Sequence, residues 1–129
     1  MHSAMTPIHT PDAPAPAGHY SQAVVHGGLV HVAGQLPIDP HERDAAPGSI
    51  GEQTERALRN VEAILIAAGS SLDALISVTV YVTSIEHWPA VNEAYARVLG
   101  EHRPARAVVP VKTLHHDYLI EIQAVAAVG

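Results

Sequence analysis

The first apolar runs of the chain lie at residues 22–26 and 29–33, and both are rich in residues that favour β-strands. Gly27 and Gly28 separate the two runs. A pair of glycines between β-rich runs is typical of a tight hairpin turn. The segment 36–48, which is rich in proline and charge, predicts a loop after the hairpin.

Apolar residues at helical spacing predict a helix over residues 49–68, which Gly69 would end. They are Ile50, Ala57, Leu58, Val61, Ile64, Leu65 and Ala68. The β-branched run 75–82 predicts a strand. Ser84 is a plausible N-cap for a second helix, with Pro89 in its first turn and Gly100 at its end.

Two further strands are expected at about 105–112 and 118–127, which gives the order β-β-α-β-α-β-β. Strand–helix–strand units favour parallel neighbours and hairpins add antiparallel pairs, so we expect a mixed sheet with both helices on one face. In the last strand, one parity is wholly apolar and the other contains Glu121 and Gln123. A half-polar face without a helix to cover it favours a homo-oligomer with a polar site at its interface.

Residues 1–17 contain four prolines and mostly small residues between them. Proline fixes φ and removes a backbone donor, so we expect an extended N-terminal arm over 1–17. The remaining residues, 18–129, are expected to form a single domain, since 129 residues is a usual domain length.

The composition disfavours nucleic acid as a partner. The formal net charge is −6 and aromatic residues make up only 4% of the chain. Binding to phosphate backbones requires clustered cations, and single strands also require stacking aromatics. The basic residues are instead scattered along the sequence: Arg43, Arg56, Arg59, Arg97, Arg103, Arg106 and Lys112.

The chain has no cysteine, which excludes disulfides, thiolate nucleophiles and cysteine-ligated zinc. Its ten histidines lack the spacing of a metal site, and we interpret them as scattered surface or partly buried residues, with no metal expected. No apolar run approaches the ~20 residues of a membrane span, and no secretory signal is recognisable. We therefore expect a cytoplasmic protein without a membrane partner.

Arg106 and Glu121 are the candidates for chemistry, because both are charges within apolar strands. One interpretation is structural, either a salt bridge between the two or a solvated sheet edge. The other is functional, since an Arg fork binds a carboxylate and a nearby Glu can activate a water. Together they would hydrolyse a bond at the carbon next to a substrate carboxylate.

Several segments resemble motifs of the Rid (reactive-intermediate deaminase, formerly YjgF) family over roughly residues 15–128. Near the N-terminus these are Gly18-His19-Tyr20-Ser21-Gln22-Ala23 and Val32-Ala33-Gly34-Gln35-Leu36-Pro37. Further along they are Asn60-Val61-Glu62-Ala63-Ile64-Leu65, Val91-Asn92-Glu93-Ala94-Tyr95, Pro104-Ala105-Arg106 and Ile120-Glu121-Ile122-Gln123-Ala124. Separated motifs in the family's order make the resemblance specific for the family, although not for one substrate.

The resemblance implies an α+β, chorismate-mutase-like fold, with a mixed β-sheet and two helices packed on one face. It also implies a homotrimer with sites in the clefts between subunits and no cofactor. The activity implied is hydrolysis of 2-iminobutyrate, 2-iminopropionate and related 2-imino acids to 2-keto acids and ammonia. Arg106 would bind the substrate carboxylate and Glu121 would orient the water. Tyr20 would line the cleft, Gly34 and Val108 would contact the ligand through their backbone, and Asn92 would support the site.

Ala33 and His19 depart from the family pattern, where Ser and Pro are usual. His19 is either an additional acid–base group or an exposed loop residue. These departures leave two alternatives open. One is a trimer that binds small carboxylates such as keto acids without turnover, and the other is a specialised hydrolase of a related intermediate such as an aminoacrylate. A ribonuclease activity, which is attributed to some relatives, is opposed by the acidic balance and the few aromatics.

Overall fold

The computed structural model describes residues 4–129, which form six strands and two helices in the order β-β-β-α-β-α-β-β. The strands are β1 (Thr6–Ile8), β2 (Ala23–His26), β3 (Leu29–Gln35), β4 (Leu75–Val82), β5 (Ala105–Pro110) and β6 (Ile120–Ala127). The helices are α1 (Ile50–Ala67) and α2 (Trp88–Leu99). Single 3₁₀ turns precede β4, α2 and β6.

The hairpin forms as the sequence predicted. Gly27 and Gly28 have φ values of 60° and 79°, and two consecutive positive φ values are what a two-residue hairpin turn of type I′ requires. The turn sets the register in which His26 lies opposite Leu29 and Ala23 opposite Val32.

The ends of α1 also follow the prediction. Ser49 accepts a hydrogen bond from the Glu52 backbone N–H, and the Glu52 side chain accepts one from the Ser49 N–H, which completes a capping box. Gly69, with φ of 80°, follows the helix. The predicted cap of α2 was wrong, because Ser84 caps a short 3₁₀ turn and the helix itself begins at Trp88.

The sheet order is β1-β2-β3-β6-β4-β5, with β4 and β5 parallel and all other neighbours antiparallel. The predicted mixed sheet is therefore confirmed. The last strand does not pair with the strand before it, because β6 inserts between β3 and β4. That insertion brings the ends of β3 and β6 side by side.

The N-terminal arm contributes an edge strand that the sequence pattern had not predicted. Thr6–Ile8 pairs with β2, and Pro7 is tolerated there because an edge strand need not donate on both sides. The buried Gln22 side chain fastens the arm further. Its amide donates to the backbone oxygens of Thr10, Ala13 and Pro14 and its oxygen accepts from the Thr10 N–H.

The core lies between the helices and one face of the sheet, as expected. The predicted apolar parity of β6 is buried, with Ile120 and Ile122 fully so, and Val78, Val80 and Val82 of β4 join it. Glu121 and Gln123 face the opposite side, where they are half-buried and exposed. Within residues 4–129, no helix is long and apolar enough to cross a membrane.

Candidate active site

Glu121 lies where β3 leaves regular pairing with β6. The register between the two strands shifts between Val32 and Gln35, which marks a bulge at Ala33 and Gly34. A bulge bends a strand and re-aims its side chains, and bulges are common next to active sites. Here the bulge places the Gly34 backbone directly against the Glu121 side chain.

Gly34 is required by this close approach. A Cβ built on Gly34 would lie 3.0 Å from Glu121 Cδ and 3.1 Å from its Oε2. Any other residue would displace the carboxylate. The absence of a side chain at Gly34 therefore fixes where the Glu121 carboxylate can rest.

Glu121 lines a cavity of about 460 Å³ on the sheet face that no helix covers. Tyr20 and Gly34 line the same cavity, so the structure brings together three of the residues that the sequence singled out. The full lining is Pro14, Ala15, Ala17, Gly18, Tyr20, Ala33, Gly34, Gln35, Leu36, Ile38, Arg43, His115, His116, Glu121 and Gln123. Tyr20 is 53% exposed, and its hydroxyl accepts a hydrogen bond from the Ala17 N–H at 3.3 Å.

The Glu121 carboxylate has neither an ion pair nor a side-chain hydrogen bond within the described part of the chain. A half-buried carboxylate in a cavity, with its lone pairs free, is suited to accept a proton from a bound water. The structural interpretation of Arg106 and Glu121 as a salt bridge within one chain was wrong, because the two residues lie on opposite faces of the sheet.

Arg106 occupies a second cavity, of about 480 Å³, beside α2. Its Nη1 donates to Asn92 Oδ1 at 3.0 Å. Its guanidinium carbon lies 4.7 Å from the centroid of the Tyr95 ring and 5.8 Å from that of Trp88. An amide and two aromatic faces thus hold the guanidinium in place, which leaves its remaining donors for a ligand.

The buried position of Tyr95 raises the pKa of its hydroxyl, and the positive charge of Arg106 opposes part of that shift. The Tyr95 oxygen has no hydrogen-bond partner among residues 4–129. We conclude that Tyr95 supports Arg106 through its ring, because its hydroxyl makes no hydrogen bond to the cation.

Of the remaining predicted residues, only Asn92 lines one of the two cavities. Asn92 lies beside Arg106 and accepts its hydrogen bond. Val108 lies on β5 two residues beyond Arg106 and lines neither cavity. His19 is exposed and also lines neither cavity, which fits an exposed loop residue and gives no support to an acid–base role.

Several residues around Arg106 and Glu121 were not predicted from the sequence. Trp88 and Tyr95 could have been found, because they lie four residues before and three residues after Asn92 and therefore share its helix face. Arg43, His115 and His116 had no such signal, since two separate loops bring them to the cavity that Glu121 lines. Across residues 4–129, no three His, Asp or Glu side chains converge in a way that could hold a metal.

The part of the chain that forms the two cavities is similar to known proteins. A family model described as endoribonuclease L-PSP matches residues 10–128. A RutC family protein of Pyrococcus horikoshii is 47% identical over 119 residues, which cover 92% of this chain and 94% of the relative. The matched range 10–128 contains every residue that lines either cavity.

Solved structures agree with that match. A protein of unknown function of the conserved Rid family from Yersinia pestis has a TM-score of 0.92 at 36% identity, covering 97% of this chain and 100% of that chain. E. coli TdcF, solved with bound serine, has a TM-score of 0.91 at 35% identity, covering 96% of this chain and 99% of that chain. These structures share the two-helix, mixed-sheet fold.

Proposed function

The chain belongs to the endoribonuclease L-PSP family, which includes the RutC and Rid proteins, and from that premise we propose that it is a 2-iminobutyrate/2-iminopropionate deaminase. The reaction proposed is the hydrolysis of reactive 2-imino acids to 2-keto acids and ammonia, without a metal or organic cofactor, in the cytoplasm. The observation that carries the proposal is that the chain has a preorganised arginine, Arg106, in one cavity and a free carboxylate, Glu121, in another.

Neither cavity is sufficient for this reaction by itself. Arg106 points to the helix-covered side of the sheet and Glu121 to the open side, as their register against Val78 and Tyr81 of β4 requires. A substrate held by both must therefore bind between two copies of the chain. We propose a homotrimer in which each of three equivalent clefts takes Arg106 and Asn92 from one subunit and Glu121, Gly34 and Tyr20 from its neighbour.

The open sheet face supports such an assembly. Its β5 row consists of Ala105, Ala107 and Val109, and Val109 is 37% exposed. A strand face of small apolar residues that no helix covers is favourable to bury against another subunit. A closed ring with heterologous contacts forms three identical interfaces and leaves no such face exposed.

In the proposed mechanism, Arg106 binds the substrate carboxylate and places the adjacent iminium carbon near Glu121. Glu121 accepts a proton from water as the water oxygen bonds to that carbon, which gives a carbinolamine. Glu121 then returns the proton to the nitrogen and the C–N bond breaks. The departing ammonia takes the hydroxyl proton as the C=O bond forms. Keto acid and ammonium leave, and Glu121 is again a carboxylate.

The test is to generate 2-iminobutyrate and 2-iminopropionate in situ with an amino-acid dehydratase and to follow keto-acid formation. We expect wild type to accelerate it, and Arg106→Ala and Glu121→Gln each to lose about 2 to 4 kcal/mol of transition-state stabilisation. Arg97→Gln is the matched control, because Arg97 lies on the surface of α2 and pairs with Glu93. If wild type gives no acceleration, the proposed activity is wrong.

A trimer that binds small carboxylates without turnover is the second candidate, and the bound serine in the TdcF structure favours it. A specialised hydrolase, for example of an aminoacrylate, would use the same residues on another intermediate. The free Glu121 carboxylate distinguishes catalysis from binding, since Arg106 alone would suffice to hold a carboxylate. Binding of keto acids without any acceleration of imine hydrolysis would favour the binding protein.

A further inference from the structure

The cavity around Glu121 contains donors that the proposed reaction does not use. Arg43 comes from the loop between β3 and α1, and His115 and His116 come from the turn before β6. All three line the cavity together with Glu121. In the proposed hydrolysis, the substrate's own carboxylate is bound by Arg106, so these three side chains are available for another part of the ligand.

Arg43 is the one permanently charged cation in the described lining of this cavity. It is exposed, and none of the ion pairs found among residues 4–129 involves it. A guanidinium presents several donors in a planar fork that matches a carboxylate. Arg43 therefore has both the geometry and the free donors to bind a second anionic group.

The two histidines lie on a strained turn. His116 has φ 58° and ψ 25°, and Asp117 also has φ of 58°. The backbone of residues other than glycine rarely adopts this left-handed region, and residues held there cluster at functional sites. Each neutral imidazole still carries one ring N–H donor, so His115 and His116 can donate to an anion whatever their protonation state.

The size of the cavity also favours a ligand with a second anionic group. About 460 Å³ lies within the usual range for small-molecule sites, and a short imino acid such as 2-iminopropionate would fill only part of it. Building on the proposed function, we infer that the site prefers 2-imino acids with a second carboxylate, the imines of acidic amino acids. Arg43, His115 and His116 bind that second carboxylate, while Arg106 of the neighbouring copy binds the first.

The test compares two ligands of equal chain length, 2-oxoglutarate and 2-oxovalerate, which differ in the second carboxylate. Isothermal titration of the wild-type protein should give a dissociation constant at least about ten-fold lower for 2-oxoglutarate. Arg43→Gln should bring the ratio close to one, and His116→Asn should reduce it, since Asn tolerates the left-handed backbone that His116 adopts. Arg97→Gln removes the same charge from a residue that lines neither cavity, and it should leave the ratio unchanged.

Equal affinities of wild type for the two keto acids would overturn the inference, as would a preference that Arg43→Gln leaves intact. A parallel assay with the imines of glutamate and norvaline, produced in situ by an amino-acid oxidase, separates this outcome from failure of the deaminase. Acceleration of both imines without any preference contradicts the second-carboxylate site and leaves the deaminase standing. Preferential binding of 2-oxoglutarate without acceleration of either imine supports the second-carboxylate site and contradicts the deaminase.

Discussion

Arg106 and Glu121 are held in opposite ways. Arg106 is fixed by contacts, with Asn92 accepting its hydrogen bond and two aromatic rings packing on its guanidinium. Glu121 is fixed by shape, because its carboxylate rests where Gly34 has no Cβ and no side chain among the described residues donates to it. A cation that must bind one anion benefits from rigid support, whereas a carboxylate that must exchange protons benefits from unoccupied lone pairs.

Each proposed cleft has an Arg106 half, from one subunit, and a Glu121 half, from its neighbour. The largest expected effect comes from placing the substitutions of the two halves on different chains. Arg106→Ala retains an intact Glu121 half, and Glu121→Gln retains an intact Arg106 half. Each variant alone should lose roughly 30- to 1,000-fold in kcat/KM for imine hydrolysis. When the two are co-expressed and assemble at random, about one quarter of the clefts contain both native residues, and activity should return to about that fraction of wild type.

The control for complementation is the doubly substituted chain, Arg106→Ala with Glu121→Gln, co-expressed with wild-type chains carrying a different tag. In these hybrid oligomers, only the clefts formed by two wild-type chains should be active. Hybrid oligomers isolated by sequential affinity steps that remain as inactive as either single variant would show that one chain supplies both residues.

Gly34→Ala tests the shape that holds Glu121. The new Cβ would approach the end of a flexible side chain rather than backbone, so the fold should survive while the carboxylate moves. We expect kcat for imine hydrolysis to fall roughly ten- to hundred-fold, because small misplacements of a catalytic group are costly.

Gly51→Ala provides the matched control for that loss. The nearest atom to a Cβ at Gly51 is Ser49 Oγ at 3.9 Å, an ordinary contact, and Gly51 lies within α1. This variant should keep wild-type activity and raise the thermal midpoint, since alanine favours a helix over glycine by about 0.5 to 1 kcal/mol. An equal loss of activity in both variants would contradict the special position of Gly34.

The parts of this molecule that were predictable are those decided by neighbours in sequence. The Gly27-Gly28 turn, the apolar stripe of α1 and the buried parity of Ile120 and Ile122 all follow from local spacing, and the structure confirms them. A three-residue strand such as β1 has too few positions to show a period. The insertion of β6 between β3 and β4 depends on pairings between distant segments, which no local pattern records.

The residues of the candidate site also differ in whether local sequence spacing could predict them. Asn92, Trp88 and Tyr95 share a helix face, so helical spacing contains the information that groups them. Arg43 and His116 reach the cavity of Glu121 from loops whose course is set by tertiary contacts. Asn60 illustrates such a contact, because its amide donates to the oxygens of Leu36 and Ile38 and so ties the loop that carries Arg43 to α1.

Trp88 offers a milder test of the Arg106 half. Trp88 is 41% exposed and its ring centroid lies 5.8 Å from the guanidinium carbon, where a cation–π contact contributes about 0.5 to 1 kcal/mol. Trp88→Leu should raise KM by roughly two- to five-fold with little change in kcat, because Arg106 is proposed to bind the substrate rather than take part in bond making. Trp88→Phe preserves a ring and should give a smaller rise. A fall in kcat at constant KM would assign Arg106 to the chemical step instead.

The smallest expected effect concerns the helix start that supports the Glu121 half. Hydrogen bonds from Ser49 lower the pKa of Glu52 below its ordinary value of 4.5. One residue on, Gln53 donates to Gly48 O and accepts from the Leu119 N–H, so this helix start is linked to the strand that carries Glu121.

A carboxyl whose pKa is lowered on folding stabilises the fold above its unfolded pKa, and this contribution is lost as the pH falls through the folded value. Glu52→Gln keeps the side-chain acceptor but removes the charge. Wild type should therefore have a slightly higher thermal midpoint than Glu52→Gln at pH 7, and the difference should vanish well below pH 4.5. A difference that persists in acid would mean that the charge of Glu52 is not what supports the capping box, and that this start of α1 adds no acid sensitivity to the Glu121 half.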